Sequence, residues 1–450
     1  RRSSLSFRVC PDILDKVLGE ARESHFPEKP FAIFYVKGKN FIGFNVRFRD
    51  LARGGVRTLI PLDKEKRAQQ HKEVFRECYS LAHTQQFKNK DIPEGGSKSV
   101  IFVKLHSSFE RDLAADKNIL IRMKSAKGTL EKALSDTRNT LIRRQLFDAQ
   151  QSFCDTLLDI VIWDADKGQL KNDIIKDEYG REELVFLGPD ENMTNQMIEW
   201  ISDRSAERNY RIGTAFMSGK QSMGINHKAY GVTSLGVHEY LKEGLRHLGL
   251  DKRDISVKVS GGPDGDVAGN EIVNLIKDFS TRLKLLSIQD GTGMIYDPEG
   301  VDQKELLRLF KEGLGVAKFD PKFLNNEGFL LLMHERKSSG PGVEEVKIVR
   351  TVKNKSTSEW LSASEANSIY SHFLLGLKSD VFMPCGGRPR TLSVDNWQDF
   401  LTEDGEPSSG LIVEGANLYL DEFARQELEK KGVVIIKDAS ANKCGVICSS

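Results

Sequence analysis

Residues 255–289 run strand, glycine turn, helix and strand in one pass, and this succession narrows the fold further than any other part of the chain. Ile255 to Val259 is apolar and β-branched, Ser260 to Asn270 is rich in glycine, Glu271 to Phe279 has helical content, and Leu283 to Gln289 is apolar again. Two strands joined through a helix run parallel, because a parallel pair needs a crossover of a dozen or more residues. Further apolar runs at Asp380–Met383, Leu411–Val413 and Val433–Ile436 continue the alternation. That pattern predicts an α/β fold whose C-terminal domain, 216–450, is a doubly wound, Rossmann-like sheet.

The first half reads differently. Phe31 to Val36 and Phe41 to Phe48 are β-rich, with Lys37-Gly-Lys-Asn40 as a hairpin turn. Residues 64–87 read as a helix and Ser99 to Leu105 as a buried strand. Residues from about 107 to 180 are charged and mostly helical in pattern, Leu130 to Leu158 especially, and carry no chemical motif; they read as a helical insertion. Leu184 to Leu187 is a short apolar run closed by Gly188-Pro189. Met193 to Arg208 and Gly231 to Leu248 read as helices, with Asp190, Thr194 and Asn195 offering capping chemistry. At 450 residues the chain holds two domains. The boundary is expected near 215, giving an α/β substrate domain over 1–215, a nucleotide domain over 216–450 and a cleft between them.

The charge is nearly balanced, with 66 Lys+Arg against 65 Asp+Glu, so neither nucleic acid nor an anionic membrane is an expected partner. No apolar run reaches the ~18 residues of a membrane span. Six scattered cysteines contain no CxxC pair; Cys444 and Cys448 lack a second ligand pair, so no metal is expected, and reduced thiols point to an intracellular protein. His71 and His83 read as helix-surface or packing residues and not as metal ligands. The chain opens on Arg-Arg and stops soon after a strand-like run, and reads as part of a longer polypeptide.

The chemistry concentrates around two lysines. Lys98 follows a Gly-Gly-Ser turn, with Lys88 upstream in the same run. An amine shielded from water near another cation loses its charge more readily, and can then act on a carbonyl near neutral pH. Alone, the segment also reads as a surface turn with solvated lysines. Arg53-Gly-Gly-Val-Arg57 is a second glycine pair flanked by cations, and Asp190 is a carboxylate just after an apolar run. Together these supply cations for substrate carboxylates, an amine and a proton carrier. In the second half, Gly261, Gly262 and Gly265, followed by Asp266 and Val267, follow a strand and open a helix. Glycine there lets backbone approach a pyrophosphate at a helix N-terminus, although the spacing departs from GxGxxG. Asp290, after the next strand, is placed to accept hydrogen bonds from a ribose diol, which favours NAD over NADP; it also reads as the cap of the turn Asp290-Gly-Thr-Gly293.

These blocks, in order from Phe41 to Ser450, resemble the glutamate dehydrogenase family, and the large-subunit NAD-specific type in particular. The resemblance implies reversible NAD-dependent oxidative deamination of L-glutamate to 2-oxoglutarate and ammonia, by a homo-oligomer. It implies that Lys98 is the catalytic lysine and Asp190 the proton shuttle, with pKa values drawn toward neutrality. It assigns Lys88 to the substrate α-carboxylate, and Asn442 and Ser449 to the substrate from the hinge side. Thr233 and Asn417, in Glu414-Gly-Ala-Asn417, would lie near the nicotinamide. Three features depart from the pattern: Arg53 stands where smaller members have lysine, Ser99 where glycine is usual, and the Lys88–Lys98 stretch is shorter. Arg53 would still pair with a distal carboxylate. Two alternatives stay open, a dehydrogenase for an apolar amino acid and a catalytically silent nucleotide-binding relative. Against the first, Arg53 and Ser449 would be left unpaired by an apolar side chain.

Overall fold

The computed structural model describes residues 4–61, 64–105, 130–177, 179–340 and 343–449. They form two compact units that divide between Asn226 and His227. The division comes later than residue 215 because the intervening segment is bonded into the first unit. Ser218 N–H donates to Leu187 O at 2.9 Å, and the Lys220 amine donates to the carbonyls of Thr214 and Met217.

The first unit is built on strands β1 (Ser4–Val9), β2 (Ala32–Gly38), β3 (Phe41–Arg47), β4 (Leu51–Leu59), β5 (Gly95–Val103) and β6 (Leu184–Pro189). They form one mixed sheet in the order β1-β2-β3-β5-β4-β6, in which β5, β4 and β6 run parallel. Helices α1 (Lys64–Lys88) and α2 (Leu130–Val161) cover its two faces. Residues 106–129 of the expected insertion lie outside the described residues. Successive strand residues point to opposite faces. Along β4 this sends Arg53, Gly55 and Arg57 toward α1, where Arg57 bonds Glu77, and sends Thr58 toward α2, where it accepts from Gln150. His71 is exposed on the helix surface with its ring against Phe102, and His83 packs half-buried against Tyr79 and Phe87. Helix α3 (Asn195–Glu207) starts at Thr194, whose hydroxyl accepts from Met197 N–H; Asp190 takes no part in that cap.

The second unit opens with α4 (Val232–His247), capped by Gly231 in the left-handed region at φ 59°. Strand β7 (Ile255–Ser260) leads through the glycine loop to α5 (Asp266–Phe279) and β8 (Leu283–Asp290), and β7 and β8 pair in parallel. Then come β9 (Gly293–Tyr296), β10 (Phe329–Gly340), β11 (Val343–Val352), β12 (Lys355–Ser362), α6 (Ala363–Gly376), β13 (Val381–Pro384), β14 (Leu411–Val413), α7 (Glu422–Lys430), β15 (Val434–Ile436) and α8 (Cys444–Ser449). The sheet order is β12-β11-β10-β9-β8-β7-β13-β14-β15. Its β8-to-β15 half is parallel and doubly wound, as expected. The antiparallel extension β9–β12 was not anticipated from the sequence. Strand order reverses between β7 and β13, and that switch point is where a doubly wound sheet opens a crevice at its carboxyl edge. No described helix is long and apolar enough to cross a membrane.

Candidate active site

Lys98 lies inside β5, opposite Gly55 of β4, and not on a turn. The strand begins at Gly95 because the glycine pair serves close packing. A Cβ at Gly96 would lie 2.2 Å from Gln86 N and 2.4 Å from Ala82 O, so α1 rests directly on the backbone there. Strand alternation puts Lys98 on the α1 face, and its amine forms an ion pair with Asp190, which follows β6. Arg57 completes the cluster. Its Nε lies 3.2 Å and its Nη2 3.4 Å from the two Asp190 carboxylate oxygens, and its Nη1 donates to Glu77 at 3.0 Å. Asp190 N–H donates to Val56 O, so the backbone also holds the carboxylate against β4.

Burial pushes the Lys98 amine below the ordinary lysine value; Asp190 pulls it back up and Arg57 pushes it further down. For Asp190, burial works against the charge, but Arg57 and Lys98 outweigh it and hold the carboxyl well below the ordinary carboxylate range. The expectation of two pKa values drawn toward neutrality therefore holds in direction for the lysine only. In the resting cluster Asp190 is an anion held by Arg57 and Lys98.

Arg53 is buried and already has a partner. Its Nε and Nη2 lie 2.5 Å and 3.1 Å from the two carboxylate oxygens of Glu94, and its guanidinium stacks 4.6 Å over the Phe186 ring. Lys88 is buried at the last turn of α1. Next to it, Asn89 donates to Arg53 O and Gly95 O and so ties the helix end to β4 and β5. The Ser449 side chain lies outside the described residues.

In the second unit three loops meet at the carboxyl ends of β7, β13 and β14. Gly261 has φ 109°, and a Cβ there would lie 2.6 Å from Ala268 Cβ and 2.9 Å from Gly386 N. A Cβ at Gly262 would lie 2.2 Å from Asp290 Oδ2, and one at Gly415 would lie 3.0 Å from Val267 Cγ1. Gly265 N–H donates to Gly262 O at the entrance to α5, and Asp266 stands in the first turn of that helix. At these glycines the loops pack directly on one another beside the N-terminus of α5, and a helix N-terminus suits a pyrophosphate. The acidic Asp264 and Asp266 oppose an anion there, so close backbone approach, not net charge, makes the fit.

Asp290 caps its own turn. Its Oδ1 accepts from Thr292 N–H and hydroxyl and from Gly293 N–H, and its Oδ2 accepts from Val316 N–H at 2.8 Å. Four bonds use most of a carboxylate's acceptor capacity, although Oδ2 faces the glycine loop. Thr233 is in the first turn of α4. Asn442 was expected at the substrate, but its amide nitrogen donates within its own unit, to Gly415 O at 2.9 Å and Asn417 Oδ1 at 3.0 Å. It is a buried brace for the Asn417 loop. The same loop hangs from Glu414, which accepts from Leu420 N–H and from Arg425, while Leu418 N–H donates to Asp438.

Sequence reading gave Arg57 only as a flanking cation, not as the partner of Asp190, and missed Glu77 and Glu94. Arg57 had a visible signal, since it shares a strand face with Arg53 and Gly55. The glutamates had none, because their partners lie on other elements.

The sequence profile of the glutamate/leucine/phenylalanine/valine dehydrogenase family matches residues 224–450. The chain is 34% identical over 449 residues to the NAD-specific glutamate dehydrogenase of Neurospora crassa, covering 99% of this chain and 36% of that protein. With the NAD-specific glutamate dehydrogenase of Saccharomyces cerevisiae it shares 34% over 457 residues, covering 100% of this chain and 36% of that protein. The chain thus spans about a third of the length of these relatives. Among solved structures, the hetero-hexameric glutamate dehydrogenase of Thermus thermophilus superposes with a TM-score of 0.55 at 17% identity, covering 98% of this chain and 80% of the other. The glutamate dehydrogenase of Plasmodium falciparum gives 0.54 at 15%, covering 99% and 69%. The paired lysine and carboxylate of the first unit, the glycine-rich loops at the switch point of the second unit's sheet and the matching profile agree: this chain belongs to the glutamate/leucine/phenylalanine/valine dehydrogenase family.

Proposed function

We propose that the protein carrying this chain catalyses the NAD-dependent, reversible oxidative deamination of L-glutamate to 2-oxoglutarate and ammonia. The observation that carries this is the contact of Lys98 on β5 with Asp190 just after β6, backed by Arg57 on the β4 strand between them. Deamination needs a group to take protons from the substrate nitrogen and one to activate water at the imine carbon. Asp190 is the carboxylate placed for the first, although its two cations make it a weak base in the resting cluster, and a lysine with a lowered pKa suits the second. Lys88 would hold the α-carboxylate and Arg53 the distal one. NAD, when bound, supplies the hydride acceptor. The backbone of Gly261, Gly262 and Gly265 would hold its pyrophosphate at the N-terminus of α5, alongside Asp266 and Val267. Thr233 and Asn417 would hold its nicotinamide amide and Asp290 its ribose. The names of the relatives support glutamate and NAD, and a homo-oligomer is the expected assembly.

One observation favours a second reading. Because Glu94 already neutralises Arg53, an apolar substrate side chain would not leave that guanidinium unpaired. The full-length protein with L-glutamate, L-leucine or L-phenylalanine, each with NAD or NADP, separates the readings through the rate of reduced cofactor formation. Glutamate with NAD should be fastest, and Lys98→Ala should abolish turnover while NAD still binds. An unchanged rate in Lys98→Ala would overturn the assignment.

A further inference from the structure

We propose that Glu94 sets the specificity of the site for the substrate side chain, acting as a carboxylate of the chain itself seated where an acidic substrate side chain would dock. This rests on the substrate reading above. Arg53 is a buried guanidinium on the strand face of Gly55 and Arg57, with Lys98 opposite Gly55. Arg57 and Lys98 are both engaged by Asp190. The Arg53 fork instead grips Glu94 through both carboxylate oxygens, the two-point arrangement a guanidinium offers to any carboxylate.

The two partners are held very differently. Arg53 sits in a strand paired on both sides, with Gly96 and with Phe186, and its guanidinium stacks on the Phe186 ring. Glu94 follows Pro93 in the irregular stretch between the short helical turn Asn89–Asp91 and β5. The glutamate can therefore leave without breaking the sheet, while the guanidinium stays in place. An acidic substrate must displace Glu94 and forfeits affinity for doing so. A substrate with an uncharged side chain leaves the pair closed. Discrimination between the two is thus a difference between competing carboxylates on one cation.

The test compares the full-length wild type with Glu94→Gln, which keeps the shape and removes the competing charge. The KM for L-glutamate and the inhibition constant for glutarate, an unreactive dicarboxylate, should both fall about tenfold. The KM for L-norvaline, which lacks the distal carboxylate, should hold. A merely structural ion pair would lower stability and leave these ratios unmoved. Glu94→Asp, with the charge kept on a shorter arm, is the second variant and should fall between the two, also by calorimetric binding of glutarate. Equal glutamate and glutarate constants in all three proteins overturn this proposal alone. Failure of every protein to turn over L-glutamate with NAD overturns the substrate reading and this proposal with it.

Discussion

Gly55 stands across from Lys98, and a Cβ at position 55 would lie 2.8 Å from the lysine Nζ and 3.4 Å from Asp190 Oδ2. The glycine is what lets amine and carboxylate meet over β4. Its obstacle is the mobile end of a side chain, not backbone, so an added methyl group would move the lysine and leave the sheet intact. Gly55→Ala should therefore fold normally, with a melting temperature close to that of the wild type. Its kcat should fall about 100-fold, the scale of a misplacement of about an ångström in a reacting group. Parallel thermal unfolding and steady-state rates check this; a normal kcat would mean that the amine does not act from this position.

Arg57 should be felt in the pH profile. It lowers the Lys98 pKa by cation repulsion and helps keep Asp190 ionised. In Arg57→Gln both groups should titrate at higher pH. If deprotonated Lys98 is needed for turnover, the rising limb of kcat/KM moves to higher pH, and the rate at neutral pH falls about 10- to 100-fold. A limb that stays put would detach Lys98 from the proton chemistry.

Much of this was legible in the sequence because it depended on local order. The β7–α5–β8 unit, the hairpin at 37–40, α1 and the short strands β13 to β15 each carry a period and a punctuating glycine or turn. The β9–β12 extension was not read, because its strands add to a sheet edge whose identity depends on the rest of the fold. Gly95-Gly96 was misread for a related reason. A glycine pair signals either a turn or a close approach, and only α1 lying over Gly96 decides between them. The pairing of Arg53 with Glu94 spans two elements, so Arg53 read as an open receptor. The same holds for Asn442, whose partners at 415 and 417 come from the end of another strand.

Asn442 should act on the nucleotide through Asn417. Its amide nitrogen binds the Asn417 side-chain carbonyl, which fixes which way that amide turns. Asn442→Ala removes both bonds, and with them one of the contacts that orient the Asn417 side chain. The expected result is NADH binding weakened up to about tenfold, the scale of one net hydrogen bond. Fluorescence titration of bound NADH measures it. Unchanged binding would mean that other contacts orient Asn417.

Glu414 gives the same loop a pH-dependent anchor. Burial raises its pKa to about 7, with Asp438 adding to the rise and Arg425 opposing it. The folded value thus exceeds the ordinary one of 4.5, and between these two values the folded chain holds a proton that the unfolded chain has released. By linkage, this carboxyl's contribution to stability is fully present below about pH 4.5 and is lost as pH rises through about 7. Glu414→Gln cannot ionise, so it escapes that loss, although it weakens the bond to Arg425 at every pH. Relative to the wild type the variant should therefore gain up to about 3 kcal/mol between pH 4.5 and pH 8. Urea unfolding of both proteins across that range measures the gap. A gap that stays flat with pH would show that Glu414 ionises as freely in the fold as out of it, and that Arg425 alone compensates its burial.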